Sequence, residues 1–135
     1  MRYTVQKKIG PISAMHAINS LPEGHECRNL HGHNLYVDLT LGADKLTEPG
    51  FVIDFNDLAP VETYLRSWSR MESLGELFPD GRDATVEHLA EHVADWYATN
   101  IAPTAPSCQL LSVTVHETDT CSATYTTTAG LEATR

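Results

Sequence analysis

Cys27-Arg28-Asn29-Leu30-His31-Gly32-His33-Asn34 is the stretch from which the rest of the chain is read. A thiol stands four positions before the first of two histidines that alternate across a glycine. In an extended strand, side chains two apart share a face, so His31 and His33 can turn both imidazoles to one point. Two neutral imidazoles meeting at a point make a metal site, and a nearby thiol can ligate there or attack a substrate. The plainer reading is two surface histidines at a turn. The cysteine, the intervening glycine and a third histidine upstream tilt the balance toward the metal.

Outward from this stretch, Leu35, Val37, Leu39 and Leu41 alternate with Tyr36, Asp38 and Thr40, the pattern of a half-buried antiparallel strand. By parity, His31 and His33 fall on its apolar face. Upstream, residues 3 to 15 read as a strand interrupted at Gly10-Pro11, and residues 19 to 29 as a loop carrying His25 and Cys27. Downstream, Gly42 to Gly50 is a polar turn, followed by the short apolar run Phe51-Val52-Ile53. Asp54 or Asn56 can cap a helix with Pro60 in its first turn and Leu58, Val61, Leu65 and Trp68 on its inner face. Gly75 and Phe78-Pro79-Asp80-Gly81 end that helix. Thr85 opens a second, with Glu87 in its first turn and Val86, Leu89, Ala90, Val93 and Tyr97 along its core stripe. Residues 111 to 116 and 122 to 128 read as the last two strands. The Thr126-Thr127-Thr128 run suits a strand or a frayed end.

Strand, strand, helix, helix, strand, strand implies one α+β domain over residues 1–135: a four-stranded antiparallel sheet with two helices on one face. Its bare edges invite pairing, so assembly into a closed ring is expected. With 135 residues, 41% of them hydrophobic and 20% charged, the chain suits a single globular core. A net charge of -9 without a basic cluster argues against nucleic acid as a partner. It is awkward for a polyanionic substrate as well. No apolar run approaches the ~20 residues of a membrane span. Cys27, Cys108 and Cys121 form no disulfide framework, and residues 1 to 8 lack a signal peptide's apolar core, which together suggest a reduced, cytoplasmic protein.

The chain resembles the 6-pyruvoyltetrahydropterin synthase and 6-carboxytetrahydropterin synthase family over nearly its whole length. Ser13-Ala14-Met15-His16, Pro22 through Asn34, Phe51 through Leu58, Ala84 through Ala90 and Val115-His116-Glu117-Thr118 carry the resemblance. The cysteine's placement looks more like the bacterial 6-carboxy branch. This resemblance implies a tunnelling fold (T-fold) assembled as a homohexamer of two stacked trimers, with sites at subunit interfaces. It implies Zn²⁺ on His16, His31 and His33, which leaves a fourth position open in the manner of catalytic zinc. It also implies Cys27 as the catalytic thiol and Glu117 as the carboxylate that grips the amino-pyrimidine end of a pterin. The substrate so implied is 7,8-dihydroneopterin triphosphate.

One departure stands out. The family's Asp-His pair, expected after the first helix, is replaced by Arg70 and Met71, or by Ser69 and Arg70 if the alignment slides by one. Met carries no proton and Arg does not give its own up. His25, His88, His92, Glu72 and His116 are the candidate replacements. Three functions stay open: an altered zinc-dependent pterin lyase, the same zinc site used on a non-pterin substrate, and a non-catalytic pterin-binding oligomer.

Overall fold

The computed structural model describes residues 1–134. Four antiparallel strands lie in the order β1 (Tyr3–His16), β2 (His31–Ala43), β3 (Gln109–His116) and β4 (Ser122–Thr126). Helices α1 (Ala59–Arg66) and α2 (Val86–Asn100) occupy the connection between β2 and β3, and α3 (Thr128–Ala133) follows β4. The T-fold sheet expected from the sequence is present, with a third, short helix added.

Alternation sorts the sheet into two faces. Val37, Leu39 and Leu41 of β2 and Val113 and Val115 of β3 are fully buried against the helices. At roughly 1.5–3 kcal/mol per buried aliphatic side chain, this layer is a main source of stability. The opposite face is polar: Tyr36, Asp38, Thr114 and His116 are only half buried. There His116 Nε2 meets Asp38 Oδ2 at 2.6 Å, and Thr114 meets Thr124 across β3 and β4 at 2.6 Å.

β1 runs through Gly10-Pro11 as one strand, with a bulge at that point. Ile9 pairs with Val37 and Ile12 with Leu35, so Gly10 and Pro11 together oppose Tyr36 alone. The extra residue inverts parity. Ile9 faces the core from an odd position, and Ile12, Ala14 and His16 face it from even ones. Gly10 has φ +151, and a Cβ there would lie 2.6 Å from Tyr36 Cδ1 and 2.8 Å from the Leu35 carbonyl oxygen. Only glycine fits.

The first helix is shorter than its apolar spacing predicts. Asp54 caps a 3₁₀ turn over Phe55–Leu58 by accepting from Asn56 N, and α1 then covers only Ala59–Arg66. Ser67 Oγ donates to the Tyr64 carbonyl and Ser69 Oγ to the Arg66 carbonyl; the chain tightens into a 3₁₀ turn over Ser67–Arg70. Serines that hydrogen-bond the preceding turn compete with helix propagation. Trp68 is fully buried all the same. Ser73 and Glu76 form a capping box on a further 3₁₀ turn, Leu74–Leu77. α2 begins as expected, with Thr85 Oγ1 accepting from His88 N at 3.1 Å. Thr127, read as strand or frayed end, instead caps α3 by accepting from Gly130 N. Among the described residues, no helix is long and apolar enough to cross a membrane.

Between α1 and α2, Tyr64 stacks on Trp96 with ring centroids 4.3 Å apart, and its hydroxyl lies 2.5 Å from His92 Nε2. Burial pushes the His92 pKa below its ordinary value; Asp95 opposes this and Arg82 adds to it.

Gly10→Ala should cost about 1–3 kcal/mol, because the new methyl meets backbone and an aromatic ring in a backbone conformation alanine avoids, as a urea-unfolding midpoint will show. His92 has a folded pKa below the unfolded one, so its contribution is complete above about pH 6.5 and is lost as pH falls through the lowered value. The melting temperature of His92→Gln should therefore drop less between pH 7.5 and 5.5 than that of the unaltered protein.

Candidate metal centre

The bulge and the β1–β2 register assemble the site. His16 ends β1 directly opposite His31, the first residue of β2, and Ala14 pairs with His33. Parity puts all three imidazoles on the core-facing side of the sheet, with ring centroids 4.5, 4.9 and 5.0 Å apart. Glu117 follows the last residue of β3 and reaches the same end of the sheet. Its Oε1 lies 2.9 Å from His33 Nε2 and 3.9 Å from His16 Nε2. One donor atom from each of His16, His31, His33 and Glu117 falls within 4.8 Å of the others.

Two main-chain carbonyls set the tautomers. His16 Nδ1 donates to Ala84 O at 2.7 Å, and His31 Nδ1 donates to Asn29 O at 2.7 Å. Each neutral ring then has its proton on Nδ1 and a bare lone pair on Nε2, the arrangement that orients imidazoles for a metal. His16 is 4% exposed, and His16 Nε2 and His33 Nε2 are buried without any hydrogen-bond partner. The approach of Glu117 to His33, though short, is not directed as a hydrogen bond. Burying an unpaired polar atom costs about 1–3 kcal/mol, and several lone pairs aimed at one another add repulsion. A divalent cation relieves both, so the residues present fit such an ion. Burial drives the His33 pKa down, Glu117 opposes it, and His16 and His31 reinforce it.

Cys27 is not part of this donor cluster. It is half buried in the 3₁₀ turn Glu26–Arg28, anchored where Ile18 N donates to its carbonyl at 2.9 Å. His25 caps that turn, its Nδ1 accepting from Cys27 N at 3.1 Å. Beside His33 opens a cleft of about 380 Å³ lined by Ser13, Met15, Gly32, Asn34 and Ser69. Ser13 Oγ donates to Asn34 Oδ1 across it at 2.8 Å. Sequence reasoning missed this polar lining; the alternation of β1 and β2 was the available signal, since Ser13 and Asn34 are register partners.

The stretch that lacks the Asp-His pair divides. Ser69 faces the cleft, Arg70 is exposed and Met71 packs against the core. Of the candidate replacements, His92 is engaged by Tyr64, and His88 Nδ1 donates to Asp83 O at 2.7 Å. His116 is held by Asp38 on the opposite sheet face. Glu72 is exposed beyond the 3₁₀ turn. His25 alone adjoins Cys27 through a hydrogen bond.

A four-stranded antiparallel sheet backed by helices, with imidazoles and a carboxylate gathered at one end, defines a tunnelling-fold protein with a metal-competent centre. The family model described as 6-pyruvoyl tetrahydropterin synthase matches residues 5–128, and the chain belongs to that family. The fold is shared with the 6-pyruvoyl tetrahydropterin synthase of Caenorhabditis elegans, at TM-score 0.76 and 21% identity over 93% of this chain and 96% of that one. An uncharacterised protein from Wolinella succinogenes matches at TM-score 0.71 and 17% identity, covering 92% and 97% of the two chains. A catalytic-residue mutant of the Plasmodium vivax 6-pyruvoyltetrahydropterin synthase matches at TM-score 0.66 and 18% identity over 91% and 97%.

Zn²⁺ at about 100 times its dissociation constant should stabilise the protein by about 2.7 kcal/mol. His31→Ala should lose most of that gain, as melts with and without the ion will show.

Proposed function

We propose that the chain is a zinc-dependent lyase or synthase of the tetrahydropterin type, acting on 7,8-dihydroneopterin triphosphate or a related pterin. The observation that carries this is the set of bare Nε2 lone pairs on His16 and His31, locked by the Ala84 and Asn29 carbonyls and joined by His33 and Glu117. Family membership supports the coarser statement, a tetrahydropterin synthase-like function.

In this reading His16, His31 and His33 hold the ion. Bound there, zinc supplies Lewis acidity that makes the side-chain hydroxyls of the substrate more acidic. Glu117 accepts two parallel N–H bonds from the 2-amino group and ring nitrogen of the pterin, which fixes the ring. Cys27 is the thiol that exchanges a proton with the substrate side chain. His25, exposed and two residues away, would have to exchange that proton through Nε2, since its Nδ1 is taken up by the Cys27 main-chain N. Met71 is partly buried against the core, and its thioether carries no proton to transfer. A relay of one thiol and one exposed histidine differs from the family's Cys-Asp-His set, so the reaction is altered or slowed. General acid–base assistance contributes about 10² to 10⁴-fold. The open edges of β1 and β4 support assembly as a homohexamer of two trimers, and the protein is cytoplasmic.

A second reading keeps the pterin and drops the turnover. It is favoured by the hydrogen bond of His25 running to the Cys27 main-chain N rather than to its thiol.

Zinc-loaded protein incubated with 7,8-dihydroneopterin triphosphate, with products separated by chromatography, tests both. Turnover by the unaltered protein, falling at least 10²-fold in Cys27→Ala while pterin binding persists, is the expected result. Binding without turnover in both proteins selects the second reading, and absence of any pterin binding removes both.

A further inference from the structure

A clamp for the N–H edge of a ring needs both carboxylate oxygens free. Glu117 Oε1 is instead drawn in among the imidazoles, 2.9 Å from His33 Nε2 and 3.9 Å from His16 Nε2. Metal–ligand bonds of about 2.0–2.1 Å in a tetrahedron put neighbouring donors about 3.3 Å apart. The two observed separations straddle that edge length. The contact with His33 is not a hydrogen bond, because His33 Nε2 is buried and has no partner. A carboxylate oxygen facing an imidazole lone pair calls for a positive centre between them. His16, His31 and Glu117 each place a donor atom within 4.8 Å of that of His33, the set of ligands a metal ion at such a centre would take.

The main chain at Glu117 is pinned while its side chain is not. Glu117 N donates to Cys121 O at 2.9 Å, Thr118 N donates to the same oxygen at 3.3 Å, and Thr118 Oγ1 accepts from Cys121 N at 3.2 Å. The Glu117 side chain is 30% exposed. One side of it borders the donor cluster and the other is open to solvent.

We propose that Glu117 is the fourth ligand of the metal centre in the substrate-free protein, and that an incoming pterin draws it off. The exchange rests on the pterin reading above. Its balance is simple: the Glu117 Oε1–metal bond breaks, two N–H···O bonds from the ring to Glu117 form, and an oxygen of the pterin side chain takes the vacated position. No electrons change hands. The ring thus unlocks the position its own side chain needs, and a pterin without a ligating side chain competes with the metal for Glu117. Linkage makes that antagonism reciprocal.

Cobalt(II) as a visible-absorbing substitute for zinc supplies a readout independent of activity. Chelator competition should show Glu117→Gln binding Co²⁺ at least about 10-fold more weakly than the unaltered protein, with Glu117→Asp between them. 6-Methylpterin, which lacks a side-chain oxygen, should weaken Co²⁺ binding, and Co²⁺ should weaken 6-methylpterin binding by the same factor. 7,8-Dihydroneopterin, whose hydroxyls replace the lost carboxylate, should bind with the metal and change the d–d spectrum. Circular dichroism confirms that each variant folds. Co²⁺ affinity unchanged in folded Glu117→Gln overturns the proposal while leaving pterin binding to be read in the same titration. A loss of Co²⁺ affinity with no response to either pterin keeps Glu117 as a ligand but overturns the exchange and the pterin function together.

Discussion

A single extra residue in β1 governs the geometry of the whole site. Side chains alternate strictly along a strand, so a strand whose early residues bury Ile9 would send His16 to the opposite face unless its parity were inverted. The bulge at Gly10 and Pro11 performs that inversion. Once it is in place, the same pairing that buries Ile12 and Ala14 against β2 sets His16 opposite His31. Metal competence is therefore a by-product of register, not of a dedicated loop. Register is itself maintained by the apolar layer of Val37, Leu39, Leu41, Val113 and Val115, because slipping one residue would expose all of it.

Much of this was legible in the letters. The alternation from Leu35 to Leu41 announces β2, and its parity places His31 and His33 on the core face, where the structure has them. Thr85 as the cap of α2 was equally readable, since capping is a local matter settled within one turn. α1 was overdrawn because apolar spacing is blind to Ser67 and Ser69, whose hydroxyls pull the backbone into a tighter turn. The short α3 went unseen because Thr126-Thr127-Thr128 favours a strand by propensity, while Thr127 caps a helix by hydrogen bonding. The meeting of Glu117 with the imidazoles depends on β3 lying beside β2 and ending opposite Tyr36, within a side chain's reach of His33. Spacing of 84 positions between His33 and Glu117 carries no hint of it.

The electrostatics of the centre are those of an assembly strained by its own design. His16 is the buried polar residue of the described chain, and its free nitrogen finds no donor. Most folds would answer such a group with a hydroxyl or a water-sized gap; here the neighbours are two more imidazoles and a carboxylate, all of them electron-rich. The excess of negative potential at one point is what distinguishes a binding centre from a cluster of core histidines. The thiol of Cys27, held off in its own turn, is not consumed by this arrangement and keeps its chemistry for another partner.

Both orienting contacts, from His16 to Ala84 and from His31 to Asn29, end on backbone oxygens. No side chain exchange at position 29 or 84 can delete an acceptor that every amino acid supplies. The tautomers of both rings thus depend on the path of the backbone and not on the identity of residues 29 and 84. The rim is different, because Ser69 lines the cleft beside His33 with its side chain, so an exchange there alters the lining directly.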